Sequence, residues 1–142
     1  MNLEGMPVLV VGGAGNIGSH VVDALIQEGA KVTVYDSLAR GRPGNLSNAR
    51  QNQDIRIIDG DVTDRLNLRD ACEGIDTVFH LAAMNRAQRS IDDPIRSNLV
   101  NVNGTLNCLH KAKESNVSKF VFVSSSSVSE VIISPSLLSA IT

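Results

Sequence analysis

The seven residues Gly12-Gly13-Ala14-Gly15-Asn16-Ile17-Gly18 follow a continuous apolar run, Pro7-Val-Leu-Val-Val11, and open a stretch with helical periodicity. A short run that is apolar at every position and closed by glycines predicts a strand buried on both faces. Beyond the glycines, Ile17, Val21 and Leu25 recur every four residues, with Val22 and Ile26 beside them. That spacing predicts a helix with one broad apolar face, ended by Gly29. The turn satisfies G-x-G-x-x-G from Gly13 and G-x-x-G-x-x-G from Gly12. Its glycines have separate physical tasks. Gly12 and Gly13 permit a tight bend, Gly15 lets the backbone come close to a pyrophosphate, and Gly18 lets the helix pack on the strand. The helix N-terminus offers free N–H groups and positive potential to phosphates.

Glycine-rich turns are common, so the context decides. Lys31-Val-Thr-Val-Tyr35 predicts a second strand, and Asp36 ends it 18 residues after Gly18. A carboxylate at that point can accept hydrogen bonds from the adenosine ribose hydroxyls of a dinucleotide. It also repels a 2′-phosphate, which favours NAD over NADP; Arg40 and Arg42 pull the other way. A structural turn followed by a surface aspartate would leave the register of glycines and Asp36 unexplained.

Outward from this unit, apolar runs alternate with helical stretches. A polar loop without strong periodicity runs from Asp36 to about Asn48 and holds Gly41, Pro43 and Gly44. Ile55-Arg-Ile-Ile58 predicts a third strand, and Asp64 to Glu73 a short helix capped by Thr63 or Asp64. Thr77-Val-Phe-His-Leu81 predicts a fourth strand. A long helix opens at Pro94, with Ile95, Leu99, Val102, Leu106 and Leu109 forming one stripe. Lys119-Phe-Val-Phe-Val123 predicts a fifth strand, running into Ser124 to Ser127. Strands alternating with helices call for right-handed βαβ units. The expected fold is α/β, a Rossmann-type doubly wound parallel sheet of about five strands. Residues 1–128 form its nucleotide-binding domain; residues 129–142 form an apolar tail of no settled period, expected to be poorly ordered.

Composition narrows the function classes. With 142 residues, 42% of them hydrophobic, and a net charge of −2, the chain fits one ordinary globular domain. Near-balanced charge without a basic run argues against nucleic acid, and Arg86, Arg89 and Arg96 fit a solvated face as well as an anion site. Cys72 and Cys108 sit in helix-like apolar surroundings, as reduced core thiols do, and no Cys/His cluster has metal-ligand spacing. The run from Met6 to Val11 is too short to span a bilayer, and the N-terminus lacks signal-peptide character, so a cytoplasmic protein without a membrane partner is expected.

The segment Val11 to His20 closely resembles the opening of the NDP-sugar epimerases and dehydratases, the NAD-dependent epimerase/dehydratase family within the extended short-chain dehydrogenases/reductases. The resemblance continues through Tyr35-Asp-Ser-Leu38, Gly60-Asp-Val-Thr-Asp64, Phe79-His-Leu-Ala-Ala83, Asn101-Val-Asn-Gly-Thr-Leu-Asn107 and Lys119 to Val128. It implies NAD as cofactor and a nucleotide-sugar substrate. By the same resemblance Asn16 and Ile17 cover the pyrophosphate, and Asp36 with Ser37 holds the adenosine ribose. Asp61 would accept from the adenine amino group with Val62 against the ring. Leu81, Ala82 and Ala83 would line the path to the nicotinamide ribose, with Asn101 donating from the long helix. For Asp61 a plain helix-preceding turn is an equal alternative; for Asn101 an exposed helix position is the favoured reading without the resemblance. Ser125 takes the place of the family's catalytic Ser/Thr, and a homodimer through residues 95–115 is implied.

The likeness then breaks. After Val128 the family has Tyr-Gly where this chain has Ser129-Glu130. The family's proton acceptor is the tyrosine of Y-x-x-x-K, its pKa lowered by the lysine. The only tyrosine here is Tyr35, and position 39 is Ala. Three readings follow in order: the front part of a sugar-nucleotide epimerase/dehydratase, truncated or frame-shifted near Val128 and inactive as this chain; a non-catalytic NAD(P)-binding sensor or regulatory module; and, far behind, a minimal reductase using another acid.

Overall fold

The computed structural model describes residues 3–52 and 55–124. Five strands form one sheet: β1 (Pro7–Val11), β2 (Lys31–Asp36), β3 (Arg56–Asp59), β4 (Thr77–His80) and β5 (Lys119–Phe122). All pairings are parallel and the order is β3-β2-β1-β4-β5. Val11 stands opposite both Tyr35 and His80, so the carboxyl ends of the central strands lie level. The strand order reverses direction between β1 and β4. In such sheets that switch point opens the ligand crevice.

Alternation along β1 explains the two layers. Val8 and Val10 face one side, with Val22 and Leu25 of α1 (Asn16–Gln27) and Ala49 of α2 (Ser47–Asn52). Leu9 and Val11 face the other, with Leu68 and Cys72 of α3 (Arg65–Cys72) and Cys108 and Ala112 of a long helix. Each Val or Leu side chain so removed from water stabilises the fold by about 1.5–3 kcal/mol. A single central strand therefore anchors helices on both faces. Gly29, at φ +83, ends α1, and Ala30 N–H donates back to the Leu25 carbonyl at 3.0 Å. Asp64 caps α3, its side chain accepting from Leu66 and Asn67 backbone N–H groups. Burial pushes the Cys72 and Cys108 thiols up, to about 11 and about 12, which keeps them inert at neutral pH.

Four features depart from the sequence reading. Two short helices fall where none was expected, α2 and α4 (Ala87–Asp92), and a 3₁₀ turn at Pro43–Leu46 leads into α2. Both helices are mostly polar, so periodicity carried no signal. Ile17 is exposed at the entry of α1, and the buried face is Gly18, Ser19, Val22 and Leu25. The helix opened by Pro94 is built of α5 (Pro94–Asn98), a wider π-helical turn at Leu99–Gly104, and α6 (Thr105–Glu114). Thr105 Oγ1 donates to the Asn101 carbonyl at 2.7 Å, a back-bond that competes with the regular ladder there.

The largest departure is the direction of the apolar stripe. Ile95, Leu99, Val102, Leu106 and Leu109 are 40–75% exposed. The buried positions are instead Ser97, Gly104, Cys108 and Ala112, small residues that permit close approach, with Cys108 and Ala112 in the core cluster of Leu9 and Val11. A Cβ on Gly104 would lie 2.4 Å from Val62 Cγ2. No helix among the described residues is long and apolar enough to cross a membrane.

Candidate cofactor site at the carboxyl edge of the sheet

The glycine turn divides into positions that meet their own chain and one that does not. Gly12 has φ +85, donates its N–H to the Tyr35 carbonyl at 2.7 Å, and passes so near the β4 exit that a Cβ would sit 2.7 Å from Ala82 N. A Cβ on Gly13 would lie 2.9 Å from Val34 Cγ1, and one on Gly18 only 2.1 Å from the Gly12 carbonyl oxygen. Among the described residues, on Gly15 it would meet just the Gly12 oxygen, at 3.2 Å. The open side of Gly15 is thus the place where a ligand can come close to backbone. Gly15 is the N-cap of α1, no side chain caps the helix, and its first turn holds no acid. Its N–H groups and positive potential are therefore uncompensated. Asn16 and Ile17 stand exposed beside them.

Asp36 is not a surface residue; it is 9% exposed. Oδ2 accepts from Ala14 N–H at 3.0 Å and Oδ1 from Leu38 N–H at 2.9 Å. The carboxylate thereby ties the glycine turn to the end of β2. Two bonds leave about half of its lone-pair sites for ligand hydroxyls. Ser37, next in the chain, is exposed. The following loop folds over Ala14, whose carbonyl accepts from Arg42 N–H at 3.1 Å and Asn45 Nδ2 at 2.9 Å. Gly41 lies against the pair, and a Cβ there would be 2.6 Å from Asp36 Oδ1. Sequence reading assigned Gly41 and Asn45 no part. A glycine in a loop and a polar residue near a turn carry no signal without knowing that the loop returns.

The turn after β3 is pinned from three sides. Tyr35 Oη donates to the Asp61 carbonyl at 2.9 Å, Gly60 admits the Tyr35 ring where a Cβ would lie 2.5 Å from it, and Asn107 Nδ2 donates to the Val62 carbonyl at 3.1 Å. Asp61 Oδ1 accepts from Thr63 N–H at 2.9 Å and from Thr63 Oγ1 at 2.8 Å. Its Oδ2 forms an ion pair with Arg96. Partial burial works to raise the Asp61 pKa, but the Thr63 donors and the Arg96 guanidinium outweigh it and hold the carboxyl below its usual range. Val62 is 5% exposed and packs on Gly104, so it leaves little surface for an adenine ring.

Leu81 N–H donates to the Val11 carbonyl at 2.8 Å, carrying Leu81 and Ala82 past Gly12 along the switch point. Ala83 is exposed just beyond. Asn101 is half-buried and holds this loop at both ends of its amide: Oδ1 accepts from Met84 N–H at 2.7 Å, and Nδ2 donates to the Met84 carbonyl at 3.1 Å. The second Nδ2 proton is left with a long contact to Ser97 Oγ, 3.4 Å.

His80, at the end of β4, is 1% exposed and stacks on Phe122. Thr105 spends its hydroxyl proton on Asn101, so it accepts from His80 Nε2–H across 3.0 Å. Nδ1 is then the bare nitrogen, with no hydrogen-bond partner among the described residues. Burial pushes the His80 pKa down to about 4. A histidine with a folded pKa below its unfolded value of about 6.5 binds fewer protons folded than unfolded, so stability drops as pH falls from about 6.5 towards 4. Urea unfolding at pH 4.5 against pH 7.5 is expected to show a loss from this residue of about 2–3 kcal/mol. His80→Gln should remove most of that component, and an unchanged pH dependence in the variant would contradict it.

Ser125 lies outside the described residues, as does the segment 129–142. The model of the family described as "NAD dependent epimerase/dehydratase family" matches residues 8–131. A putative UDP-glucose 4-epimerase of Methanocaldococcus jannaschii is 37% identical over 118 residues, covering 83% of this chain and 37% of the relative. Among solved structures, the UDP-N-acetylglucosamine 4-epimerase of Methanobrevibacter ruminantium M1, in complex with UDP-N-acetylmuramic acid, superposes with a TM-score of 0.79 at 39% identity. That match covers 87% of this chain and 39% of the other. The UDP-glucose 4-epimerase of Stenotrophomonas maltophila, with bound NAD and formylated UDP-arabinopyranose, gives 0.81 at 31% identity over 87% of this chain and 38% of its own. The chain thus spans under two-fifths of the length of these relatives. With the glycine turn, the Asp36 register and the sheet order all in agreement, the chain belongs to the NAD-dependent epimerase/dehydratase family.

Proposed function

We propose that this chain is the NAD-binding portion of an enzyme that oxidises and re-reduces a hydroxyl-bearing carbon of a nucleotide sugar. One observation carries the reading. The open face of Gly15 lies at the uncapped N-terminus of α1, in the same turn that Asp36 grips through Ala14. In this reading the α1 N–H groups, with Asn16 and Ile17, hold the pyrophosphate. Asp36 and Ser37 hold the adenosine ribose, and Asp61 meets the adenine amine, with Val62 buried behind it. Leu81, Ala82, Ala83 and Asn101 shape the nicotinamide end, Asn101 by fixing the Met84 backbone. Residues 1–128 form the binding domain. When bound, NAD supplies hydride acceptance and return; the chain supplies binding and orientation.

Ser125 would orient the sugar hydroxyl, but the 142 residues contain no Tyr-x-x-x-Lys to take its proton. Residues 1–142 alone are therefore expected to bind NAD without turning over UDP-galactose. The same fact supports the second reading, a non-catalytic NAD(P)-binding module. The exposed stripe on the helix of residues 95–115 supports pairing with a second copy.

Titration of the purified chain by calorimetry or NADH fluorescence tests the reading. NAD should bind at least tenfold tighter than NADP, since the buried Asp36 carboxylate, holding the ribose in this reading, would repel a 2′-phosphate. Equal affinities would mean that Arg40 and Arg42 outweigh Asp36. Turnover of UDP-galactose above background, lost in His80→Ala, would overturn the expectation of inactivity.

A further inference from the structure

Arg96 and Asp61 lie 35 residues apart in sequence and meet through one guanidinium nitrogen and Oδ2. The other Asp61 oxygen is filled by the N–H and hydroxyl of Thr63, both within 2.9 Å. A carboxylate has about four lone-pair sites. Thr63 takes two on Oδ1 and Arg96 takes one on Oδ2, leaving one acceptor direction open, on Oδ2. The backbone beneath cannot drift, because Tyr35 Oη holds the Asp61 carbonyl and Asn107 holds that of Val62. Asp93 Oδ1 accepts from Arg96 N–H at 2.9 Å and so fixes the start of α5 at the arginine itself. A single, fixed, ionised acceptor is a reader for one hydrogen-bond donor and repels a carbonyl placed in the same spot.

We propose that Arg96 is a positioning residue that aims Asp61 at the exocyclic amine of the base and so makes the site selective for adenine over a 6-oxo purine. This rests on the reading of Asp61 as the adenine contact. Without Arg96 the Oδ2 atom regains its second lone pair, the carboxyl can turn on Thr63, and the acceptor no longer has one direction. The guanidinium is partly exposed, with 44% of the side chain accessible, so its removal leaves the core untouched.

The test compares NAD with nicotinamide hypoxanthine dinucleotide, which bears a 6-oxo group in place of the amine and a proton on N1. Dissociation constants are measured for the parent, Arg96→Met, Arg96→Lys and Asp61→Asn. The parent should prefer NAD by about tenfold or more, the gain expected of one hydrogen bond to a charged acceptor. Arg96→Met should lower that ratio at least threefold, and Arg96→Lys should restore part of it. Asp61→Asn, whose amide can donate to a 6-oxo group, should bring the ratio near one or invert it. Equal weakening of both dinucleotides in Arg96→Met would mean that Arg96 merely supports the fold and would overturn the proposal. Tighter NAD binding in Arg96→Met would also overturn it, showing the guanidinium to be a competitor for Oδ2. If the parent binds NAD but Asp61→Asn leaves the ratio unchanged, the adenine contact itself is wrong. If the parent binds neither dinucleotide, the cofactor reading fails and this inference with it.

Discussion

Gly18→Ala is expected to destabilise the nucleotide-binding unit strongly, while Gly15→Val, three residues earlier and bulkier, leaves the fold intact and cuts NAD binding sharply. The difference follows from what each new Cβ meets. At Gly18 it would lie 2.1 Å from the Gly12 carbonyl oxygen and 2.8 Å from Gly13 Cα, both backbone atoms of the tightest part of the turn. Neither can retreat, because Gly12 is bonded to Tyr35 on one side and lies against Ala82 on the other. Relief requires α1 to lift from β1, which exposes Val22 and Leu25. Overpacking of this kind costs on the order of 3 kcal/mol or more, a loss of roughly 10 °C in melting temperature. At Gly15 the backbone is extended, φ −69 and ψ 171, a conformation that valine adopts without strain. Among the described residues the new Cβ would have one near neighbour, an oxygen at 3.2 Å. The methyl groups then fill the space that the pyrophosphate needs. Melting temperature should change by no more than about 3 °C and NAD affinity should fall at least 100-fold, about 2.7 kcal/mol. Undiminished NAD binding by a folded Gly15→Val protein would remove the pyrophosphate from this turn. Gly15→Ala gives an intermediate case if valine proves too bulky for expression.

This contrast marks what could be read from the chain before its structure. The turn was legible because glycine has few other reasons to occur at that spacing between a strand and a helix. The strands were legible for a similar reason: Val8 to Val11 is short and apolar throughout, and Lys31 to Tyr35 is short and rich in valine, each bounded by breakers. Residue roles that depend on long-range return of the chain were not. The Arg96–Asp61 pair, Gly41 against Asp36, and the double hold of Asn101 on Met84 join positions far apart in sequence. Nothing local marks them. The long helix shows a subtler limit. Its apolar period was read correctly, yet the stripe points away from the sheet. Hydrophobicity identifies a face that avoids water, not the surface that covers it. The true inner face carries Ser97, Gly104, Cys108 and Ala112, whose contribution is close approach rather than apolar area.

That outward stripe carries the last expectation, a dimer that two charges dissolve. Leu99, Val102 and Leu106 lie within two turns of the helix and are 40%, 58% and 61% exposed, with Ile95 and Leu109 extending the row at 75% and 43%. A row of large apolar side chains this long is unusual on a surface that faces only water. Pairing about a two-fold axis would bury the row against its own copy, each residue contributing twice. Leu99→Glu with Leu106→Glu would then place four carboxylates in one apolar seam. Each change costs a single copy little, because both side chains already reach solvent. In the paired state, burying unpaired like charges costs several kcal/mol, so the dissociation constant should rise at least 100-fold. Light scattering across a concentration series should show the parent as a dimer at tens of micromolar and the double variant as a monomer of nearly unchanged melting temperature. A monomeric parent would end the proposal. Association that survives both charges would point elsewhere, to Val121, Phe122 and Val123, exposed along and just after β5, the outer strand among the described residues.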